Sequence, residues 1–234
     1  MIRIFSLLGV ALLNLYSAAD ADPAPAVTKT RVVLAGDSTV TDISGWGAAF
    51  AKRLVPEAEC VNLSSGGQSS KSFRDAGRWQ KALDAKPAFI LIQFGHNDMP
   101  GKGANRETDP ETTYRENLIR FVQEARAIGA QPIIVTSMAR RTFDNGKIRG
   151  ELKPWADAAR KVATDEKVPL VDLFARSIEL LEKIGPTASD EFNPVGPDGR
   201  GDHTHLNAKG GEVMAGIVVE ELRRVAPELG KLLK

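Results

Sequence analysis

Short apolar runs alternate with helical patterns along most of this chain, and this alternation constrains the fold more than any other feature. The runs with strand character are 31–35, 60–63, 88–94, 132–135 and 169–173. Segments with apolar residues at three- and four-residue spacing, which is typical of helices, separate them. Strands joined by helices form right-handed crossovers and a parallel sheet that is covered on both faces. The sequence therefore predicts an α/β fold with a five-stranded, mainly parallel sheet.

The first residues have a different character and do not enter the fold prediction. Arg3 precedes an apolar run at 4–16, and small residues follow it, which is the layout of a secretory signal peptide. About 13 apolar-rich residues are fewer than the roughly 20 that span a bilayer. We predict a signal peptide at 1–21, a flexible leader at 22–29 and one domain at 30–234. The expected location is secreted or periplasmic.

Charge and motifs limit the partners of the protein. The formal net charge is +1, and the Lys and Arg residues are dispersed along the chain. Binding to nucleic-acid phosphates needs a concentrated basic face, so we expect no nucleic acid. The sequence has no Gly-rich phosphate loop, no His-Glu-x-x-His helix and no cysteine cluster, so we expect no cofactor and no metal. We also expect a monomer without stable membrane association.

Three of the predicted strands end in polar or glycine-rich turns. These turns are Gly36-Asp37-Ser38, Gly66-Gly67 and Gly95-His96-Asn97-Asp98. The carboxyl ends of parallel strands lie on one rim of a sheet, so these turns can converge in space. Taken alone, a strand that runs into Gly-Asp-Ser is more often an ordinary turn with a capping side chain. Ser38 is therefore a candidate nucleophile only in combination with the other groups.

Asp202 and His205 complete this combination just before the last predicted helix. Their spacing lets the carboxylate fold back on the imidazole, which fixes its tautomer and stabilises its cationic form. A serine hydroxyl needs a base to take its proton, and His205 fits that role. The amides of Ser38 and Gly67 and the side chain of Asn97 could bind the oxyanion, where one donor is worth about 3 to 4 kcal/mol. The pattern predicts acyl transfer through Ser38.

Four ordered blocks of this sequence resemble those of the SGNH hydrolases, also called the GDSL esterase and lipase superfamily. The blocks are Gly36-Asp37-Ser38, Gly67, Gly95-His96-Asn97-Asp98 and Asp202-x-x-His205. The chain is most similar to the rhamnogalacturonan acetylesterase-like branch. The segments that carry this similarity are Leu34 to Thr39, Gly45 to Gly47, Gly67 to Phe73, Gly77 to Trp79 and Asp202 to His205. The resemblance covers nearly the whole chain after residue 31.

The resemblance implies a flavodoxin-like, three-layer α/β/α sandwich without a metal. It implies Ser38 as nucleophile, His205 as base and Asp202 as the acid that orients the base. Gly67 and Asn97 are then residues of the oxyanion hole, together with the Ser38 amide. The implied activity is that of a secreted serine esterase that removes O-acetyl groups from plant cell-wall polysaccharide, pectic rhamnogalacturonan in particular, through an acetyl-serine intermediate.

Two other functions stay open at this point. The same chemistry could act on acetyl-xylan, another glycan or a lipid, although the chain has no long, strongly apolar lid-like stretch. A carbohydrate-binding protein could keep the fold without catalysis. That alternative would be favoured by loss of Ser38, Asp202 or His205, and all three residues are present.

Three further side chains are candidate substrate contacts. Trp79 could form a platform for a sugar, with packing in the core as the alternative. His203 is expected to point away from the Asp202–His205 pair and to face the loop or the substrate. Arg140 follows the fourth predicted strand together with Arg141, and this pair could meet an acidic sugar or lie in a solvated loop.

Other polar groups are expected to have structural roles. Asp37 and Asp98 are predicted to cap or brace their loops. His96 is predicted to hold its own loop by hydrogen bonds. The segment 186–201 is polar and rich in Gly and Pro, and it is predicted to be a loop.

Overall fold

The computed structural model of the protein describes residues 29–234 and contains seven β-strands in that range. They are β1 (Thr30–Gly36), β2 (Ala58–Asn62), β3 (Phe89–Gln93), β4 (Gln131–Val135), β5 (Phe143–Asp144), β6 (Lys147–Ile148) and β7 (Leu170–Val171). The signal peptide predicted at 1–21 and all of the leader except Lys29 lie outside the described residues.

Eight α-helices occupy the same part of the chain, and a short 3-10 helix follows β1 at Ser38–Val40. They are α1 (Gly47–Ala51), α2 (Ser70–Asp75), α3 (Arg78–Asp84), α4 (Thr113–Ala127), α5 (Lys153–Asp165), α6 (Leu173–Asp190), α7 (Ala208–Val225) and α8 (Pro227–Gly230). None of these described helices combines the length and the apolarity that crossing a bilayer requires.

Five strands form one sheet in the order β2-β1-β3-β4-β7. Every neighbouring pair in this sheet is parallel. Helices cover both faces, so the predicted three-layer α/β/α sandwich is confirmed. The small antiparallel hairpin of β5 and β6 stands apart from the sheet. All the strand ends that carry predicted site residues therefore lie on one rim.

The apolar strands divide their side chains between two cores. In β1, Val32 and Leu34 pack with α1, α6 and α7, whereas Val33 and Ala35 pack on the other side with α2 to α5. All four are fully buried, which explains why β1 is continuously apolar rather than alternating. Burial of each larger aliphatic side chain contributes about 1.5–3 kcal/mol. The central strand that leads to Ser38 is thus held from both faces.

One predicted loop is partly helical. Residues 186–190 belong to α6, which is interrupted at Gly185, where the backbone has φ 79° and ψ 171°. Glycine accepts this left-handed φ without a side-chain penalty. Pro186 then starts a second helical stretch, since its missing N–H is not needed in a first turn. The loop prediction is therefore wrong for these five residues. Proline is common in loops, but it is also common in the first turn of a helix.

Candidate active site

The turn after β1 presents Ser38 at the carboxyl edge of the sheet. Asp37 is completely buried, and its Oδ1 accepts hydrogen bonds from the Thr39 amide at 2.9 Å and from the Thr39 hydroxyl at 2.7 Å. This cap starts the 3-10 helix at Ser38. The Ser38 side chain remains half-buried. Asp37 therefore caps this turn, as predicted, and Ser38, the next residue, stays partly accessible.

A buried chain of side chains supports this turn from behind. Gln93, the last residue of β3, donates from Nε2 to the Thr39 hydroxyl at 2.8 Å. Its Oε1 accepts a hydrogen bond from Trp46 Nε1 at 3.0 Å. Trp46 is fully buried and packs edge-on against Phe50. The nucleophile turn is therefore tied to the neighbouring strand and to the start of α1.

His205 lies within hydrogen-bond distance of both Ser38 and Asp202. Its Nε2 is 2.8 Å from Ser38 Oγ, and its Nδ1 is 2.6 Å from Asp202 Oδ2. The other carboxylate oxygen of Asp202 accepts from the amides of Thr204 at 2.8 Å and His205 at 3.1 Å. A hydroxyl, an imidazole and a carboxylate thus follow one another in the order that can activate a serine hydroxyl as a nucleophile.

The Asp202 carboxylate is held in its ionised form. Partial burial by itself would raise the pKa of Asp202, but the hydrogen bonds from the His205 ring and from the two amides outweigh it and lower that pKa to about 2. The carboxylate therefore stays charged throughout the neutral range. A charged Asp202 holds the proton on Nδ1 of His205 and leaves Nε2 to accept a proton from Ser38.

The second and third turns lie beside Ser38. A methyl group placed on Gly66 would sit 3.8 Å from Ser38 Cβ. Gly67 has a left-handed backbone with φ 74°, which orients the amides of this turn without strain. Asn97 is nearly buried, and its Nδ2 donates to the Gln68 carbonyl at 3.0 Å. The structure thus brings Ser38, Gly67 and Asn97 to one end of the sheet, where their N–H groups can serve an oxyanion.

A known protein family matches the part of the chain that contains these turns. The GDSL-like Lipase/Acylhydrolase family model matches residues 33–213. The chain belongs to this family. Its members are ester hydrolases, so the protein is a carboxylic ester hydrolase.

Two curated relatives of this GDSL-like chain carry more specific names. The rhamnogalacturonan acetylesterase RhgT of Bacillus subtilis is 37% identical, over 87% of this chain and 92% of that protein. A rhamnogalacturonan acetylesterase of Emericella nidulans is 28% identical, over 82% of this chain and 84% of that protein.

Solved structures agree with the GDSL-like fold. The YxiM protein of Bacillus subtilis superimposes with a TM-score of 0.70 at 26% identity; the match covers 85% of this chain and 57% of that one. An acetylxylan esterase of Geobacillus stearothermophilus, solved as a catalytic mutant, gives a TM-score of 0.64 at 16% identity, over 83% of this chain and 94% of that one. The second match shows a shared fold only.

The remaining polar groups of the third turn are enclosed. His96 Nδ1 lies 3.5 Å from Asp37 Oδ2, and both side chains are buried. Burial raises the pKa of Asp37, but the nearby His96 ring and the hydrogen bonds from Thr39 give a net lowering. Burial raises the pKa of Asp98 to about 7, although Ser70 and Thr108 donate hydrogen bonds to it. The bonds of Asp98 brace the turn that carries Asn97, as predicted, whereas the predicted hydrogen bonds from His96 to its own loop are not found among the described residues.

The structure contradicts one predicted substrate contact. Trp79 is 3% exposed and packs on Phe121 with 4.5 Å between the ring centroids. Its Nε1 donates to Glu124 at 2.6 Å. The prediction of a sugar platform is wrong, because α3 turns this indole inward against α4. Trp79 is a core residue with its one polar atom paired.

The other two predicted substrate contacts lie near the rim. The side chain of His203 is 46% exposed and meets Asn193, 3.2 Å from His203 Nδ1, rather than Asp202 or His205. Arg140 is half-buried. Contact of either residue with substrate stays a prediction.

Two arginines near the site have positions that the sequence analysis did not anticipate. Arg106 Nη1 lies 3.7 Å from the point where a Cβ on Gly67 would be. The prediction that Arg141 meets an acidic sugar or lies in a solvated loop is wrong, because its side chain is only 2% exposed and bonds to the backbone around His205. No local sequence pattern predicts either position. Arg106 lies in an irregular Gly-rich loop, and the sequence does not distinguish Arg141 from the arginine that precedes it, Arg140. Only the packing of distant segments places them.

The side chains around Ser38 do not form a group of metal ligands among the described residues. Among residues 29–234, no three His, Cys, Asp or Glu side chains are grouped closely enough to hold a metal ion. The groups that surround Ser38 are instead a base, a carboxylate and several hydrogen-bond donors.

Proposed function

We propose that the protein is a secreted serine esterase that removes O-acetyl groups from plant cell-wall polysaccharide, with pectic rhamnogalacturonan as substrate. The observation that carries this proposal is the series of hydrogen bonds from Ser38 through His205 to Asp202. Such a series activates a serine hydroxyl toward an acyl carbon. The GDSL-like family and the names of the curated relatives support acetyl esters as the substrate.

The geometry supports a two-step acyl transfer. Ser38 Oγ attacks the acetyl carbon while its proton moves to Nε2 of His205. The carbonyl oxygen becomes an oxyanion, which the amides of Ser38 and Gly67 and the Asn97 side chain stabilise. The C–O bond to the sugar then breaks, and the leaving oxygen takes the proton from His205. An acetyl-serine remains.

Water completes the cycle at the same residues. His205 removes a proton from the water molecule as its oxygen attacks the acetyl-serine carbonyl. The bond to Ser38 Oγ breaks, Ser38 recovers its proton from His205, and acetic acid leaves. Water is the second substrate of this hydrolysis, and the acetic acid that leaves ionises to acetate in solution. Asp202 stays ionised throughout and stabilises the cationic form of His205.

The position of Arg106 favours an acidic polymer over a neutral one as the substrate. Its guanidinium lies beside Gly67, at the edge of the proposed oxyanion hole. Arg106 Nε donates to the Lys102 carbonyl at 2.7 Å, and this bond does not use the two terminal nitrogens, Nη1 and Nη2. A guanidinium binds a carboxylate through two parallel hydrogen bonds. A uronic acid next to the acetylated sugar would satisfy this group, whereas a neutral xylose would not.

Export is a further part of the proposal. The signal-peptide pattern at 1–21 supports it, followed by a leader at 22–29 and the catalytic domain at 30–234. Expression in a bacterial host followed by fractionation and N-terminal sequencing tests it. We expect a mature chain that begins just after residue 21. An intact N-terminus in the cytoplasmic fraction would contradict export.

Acetate release by wild type and Ser38→Ala tests the reaction. The substrates are acetylated rhamnogalacturonan, acetyl-xylan and a small aryl acetate. We expect release from the pectic polymer that is lost in the variant. Release from acetyl-xylan alone would keep the serine mechanism and replace the substrate. Release from none, with binding to glycan retained, would favour the carbohydrate-binding alternative.

A pair of Arg106 variants tests the substrate class. We expect Arg106→Gln to lower kcat/KM on acetylated rhamnogalacturonan about 10-fold or more, as a lost charge-assisted bond of about 1.5–3 kcal/mol predicts. Activity on the neutral aryl acetate should stay within about twofold, and Arg106→Lys should retain part of the activity on the polymer. An equal loss on both substrates would instead place Arg106 in the stabilisation of the oxyanion.

A further inference from the structure

Arg141 is a buried arginine bound to the turn that carries Asp202 and His205. Its Nη2 donates to the Asp202 carbonyl at 3.0 Å and also to the carbonyl of His205. Its own amide donates to the His203 carbonyl at 2.8 Å. One residue therefore binds three of the four carbonyls in the segment 202–205. These contacts join this turn to the chain that leaves β4.

A second contact extends this support to the preceding segment. Arg141 Nε donates to Asn193 Oδ1 at 2.6 Å. Asn193 Nδ2 in turn bonds to Asp190 at 2.9 Å, at the end of α6. Arg141 thus links the catalytic turn to a helix as well as to the sheet. The link matters because residues 191–201 contain no helix and only one isolated β-bridge, Val195 to Gly201.

Ion pairing does not account for this burial. Within the part of the chain that the structure describes, no carboxylate forms a salt bridge with Arg141, although many other arginines form one. Burial lowers the pKa of Arg141 to about 10, so that the guanidinium is still charged at neutral pH. A buried charge is costly unless hydrogen bonds satisfy it. Here Asn193 binds Nε and two backbone carbonyls of the catalytic turn bind Nη2, whereas Nη1 has no hydrogen-bond partner among the described residues.

We infer that Arg141 is a positioning residue of the esterase reaction, which holds the 202–205 turn so that His205 reaches Ser38. This inference rests on the proposed function, because it assigns a role within the same reaction. Arg141 acts through the backbone of Asp202 and His205 and does not contact the reacting atoms. A misplacement of about 1 Å can lower a rate about 100-fold. The planar guanidinium directs Nη2 at the two carbonyls and Nε at Asn193 in one fixed arrangement, which the single amine of lysine cannot reproduce.

Two substitutions and a matched control test the inference. Arg141→Met keeps much of the side-chain volume and removes the donors, whereas Arg141→Lys keeps one donor group. The control is Arg74→Met, since Arg74 is also a part-buried arginine but contacts Glu124 and Phe121 of α4. We measure kcat and KM on a small aryl acetate, the thermal midpoint, and the rate of Ser38 labelling by a fluorophosphonate.

The expected pattern separates positioning from stability. Arg141→Met should lower kcat and the labelling rate about 10- to 100-fold with little change in KM, because the acyl pocket itself is intact. Arg141→Lys should fall between Met and wild type. Arg74→Met should lower the thermal midpoint and leave kcat within about twofold. Equal kcat for Arg141→Met and wild type would overturn the inference.

A spectroscopic signature provides a readout that general destabilisation does not produce. The proton between His205 Nδ1 and Asp202 should give a low-field proton NMR signal, assigned by its absence in Asp202→Asn. We expect this signal to shift or broaden in Arg141→Lys and to persist in Arg74→Met. If Arg141→Met does not fold, the Lys variant decides: an unchanged signal and kcat would overturn the inference. Failure of the wild type on every glycan would contradict the substrate but leave the signal and the labelling as tests of Arg141.

Discussion

The turns that carry Ser38 and His205 are supported in different ways. Ser38 follows a fully buried central strand, and the residues on either side of it, Asp37 and Thr39, are both completely buried. His205 and Asp202 belong to a long connection, and their side chains are 34% and 42% exposed. Ser38 is thus held by the core, whereas His205 depends on contacts between distant loops.

This difference has a consequence for tolerance to change. Contacts made by the strand and its neighbours are numerous and local to the sheet, so loss of one leaves the others in place. The turn at 202–205 relies on a few specific bonds, such as the Leu206 amide to the Ser44 carbonyl at 2.9 Å and those of Arg141. We therefore expect substitutions around His205 to affect the rate more than comparable substitutions around Ser38 that leave its hydroxyl intact.

Among variants that keep Ser38, the largest expected effect is that of Asp202→Asn. An amide cannot hold His205 in the required tautomer or stabilise its cation, so we expect kcat to fall about 10⁴-fold. Steady-state kinetics on an aryl acetate measures the loss. The matched variant Asp198→Asn changes an exposed carboxylate of the same connection, and its rate should equal that of wild type. A modest loss in Asp202→Asn would remove Asp202 from the mechanism.

Asn97→Ala is expected to have the next largest effect. It removes a donor from the proposed oxyanion hole and the bond to the Gln68 carbonyl. We expect kcat to fall about 100- to 1,000-fold with KM little changed, since the donor acts mainly in the transition state. Asn105→Ala, in an exposed loop, serves as the control. A loss confined to KM would mean that Asn97 binds the ground state instead.

Trp46→Phe tests the support of the Ser38 turn with a smaller effect. The change removes the indole donor and leaves Gln93 Oε1 buried without its partner, which costs about 1–3 kcal/mol of unfolding free energy. Because β1 and Asp37 still hold the turn, kcat should change less than about threefold. Denaturant unfolding and kinetics on the same sample check both statements. A large loss of kcat would show that the nucleophile turn is as sensitive as the turn at 202–205.

The smallest expected effect concerns the stability contributed by Asp202 as a function of pH. Its pKa is lowered to about 2 in the folded chain, below the ordinary aspartate value of about 4. The bonds of the carboxylate should therefore stabilise the fold above about pH 4, and this contribution should vanish as pH falls through about 2. We expect the unfolding free energies of wild type and Asp202→Asn to converge over that range. If the two unfolding free energies differed by the same amount at every pH, ionisation of Asp202 would not be the source of the stabilisation.

Much of the fold could be predicted because its signals are local. Apolar runs such as 88–94 mark buried strands, and periodic apolar residues mark α4 and α5. The interruption at Gly185 could not be predicted in this way, because Pro186 suits both a loop and a helix start. The β5–β6 hairpin was also missed, since its strands are only two residues long and carry little pattern.

The candidate site was predictable to the extent that it lies at strand ends. The turns at Gly36-Asp37-Ser38, Gly67 and Asn97 follow from the parallel sheet, and Asp202 and His205 from their spacing. The partners of Trp79 and Arg141 were not predictable. Whether such a side chain faces inward depends on how a helix or loop is rotated against the sheet, and the sequence around it is compatible with both directions.

The sequence by itself determined the strands, their polar ends and the set of groups able to perform acyl transfer, because these depend on neighbours a few residues apart. Only the tertiary structure decided which of these groups meet. Ser38 and His205 are 167 residues apart in sequence, and their contact depends on packing of the whole domain. The same packing buries Trp79 away from substrate and directs Arg141 to the backbone beneath His205, because a folded core places each side chain where its volume and hydrogen bonds can be satisfied.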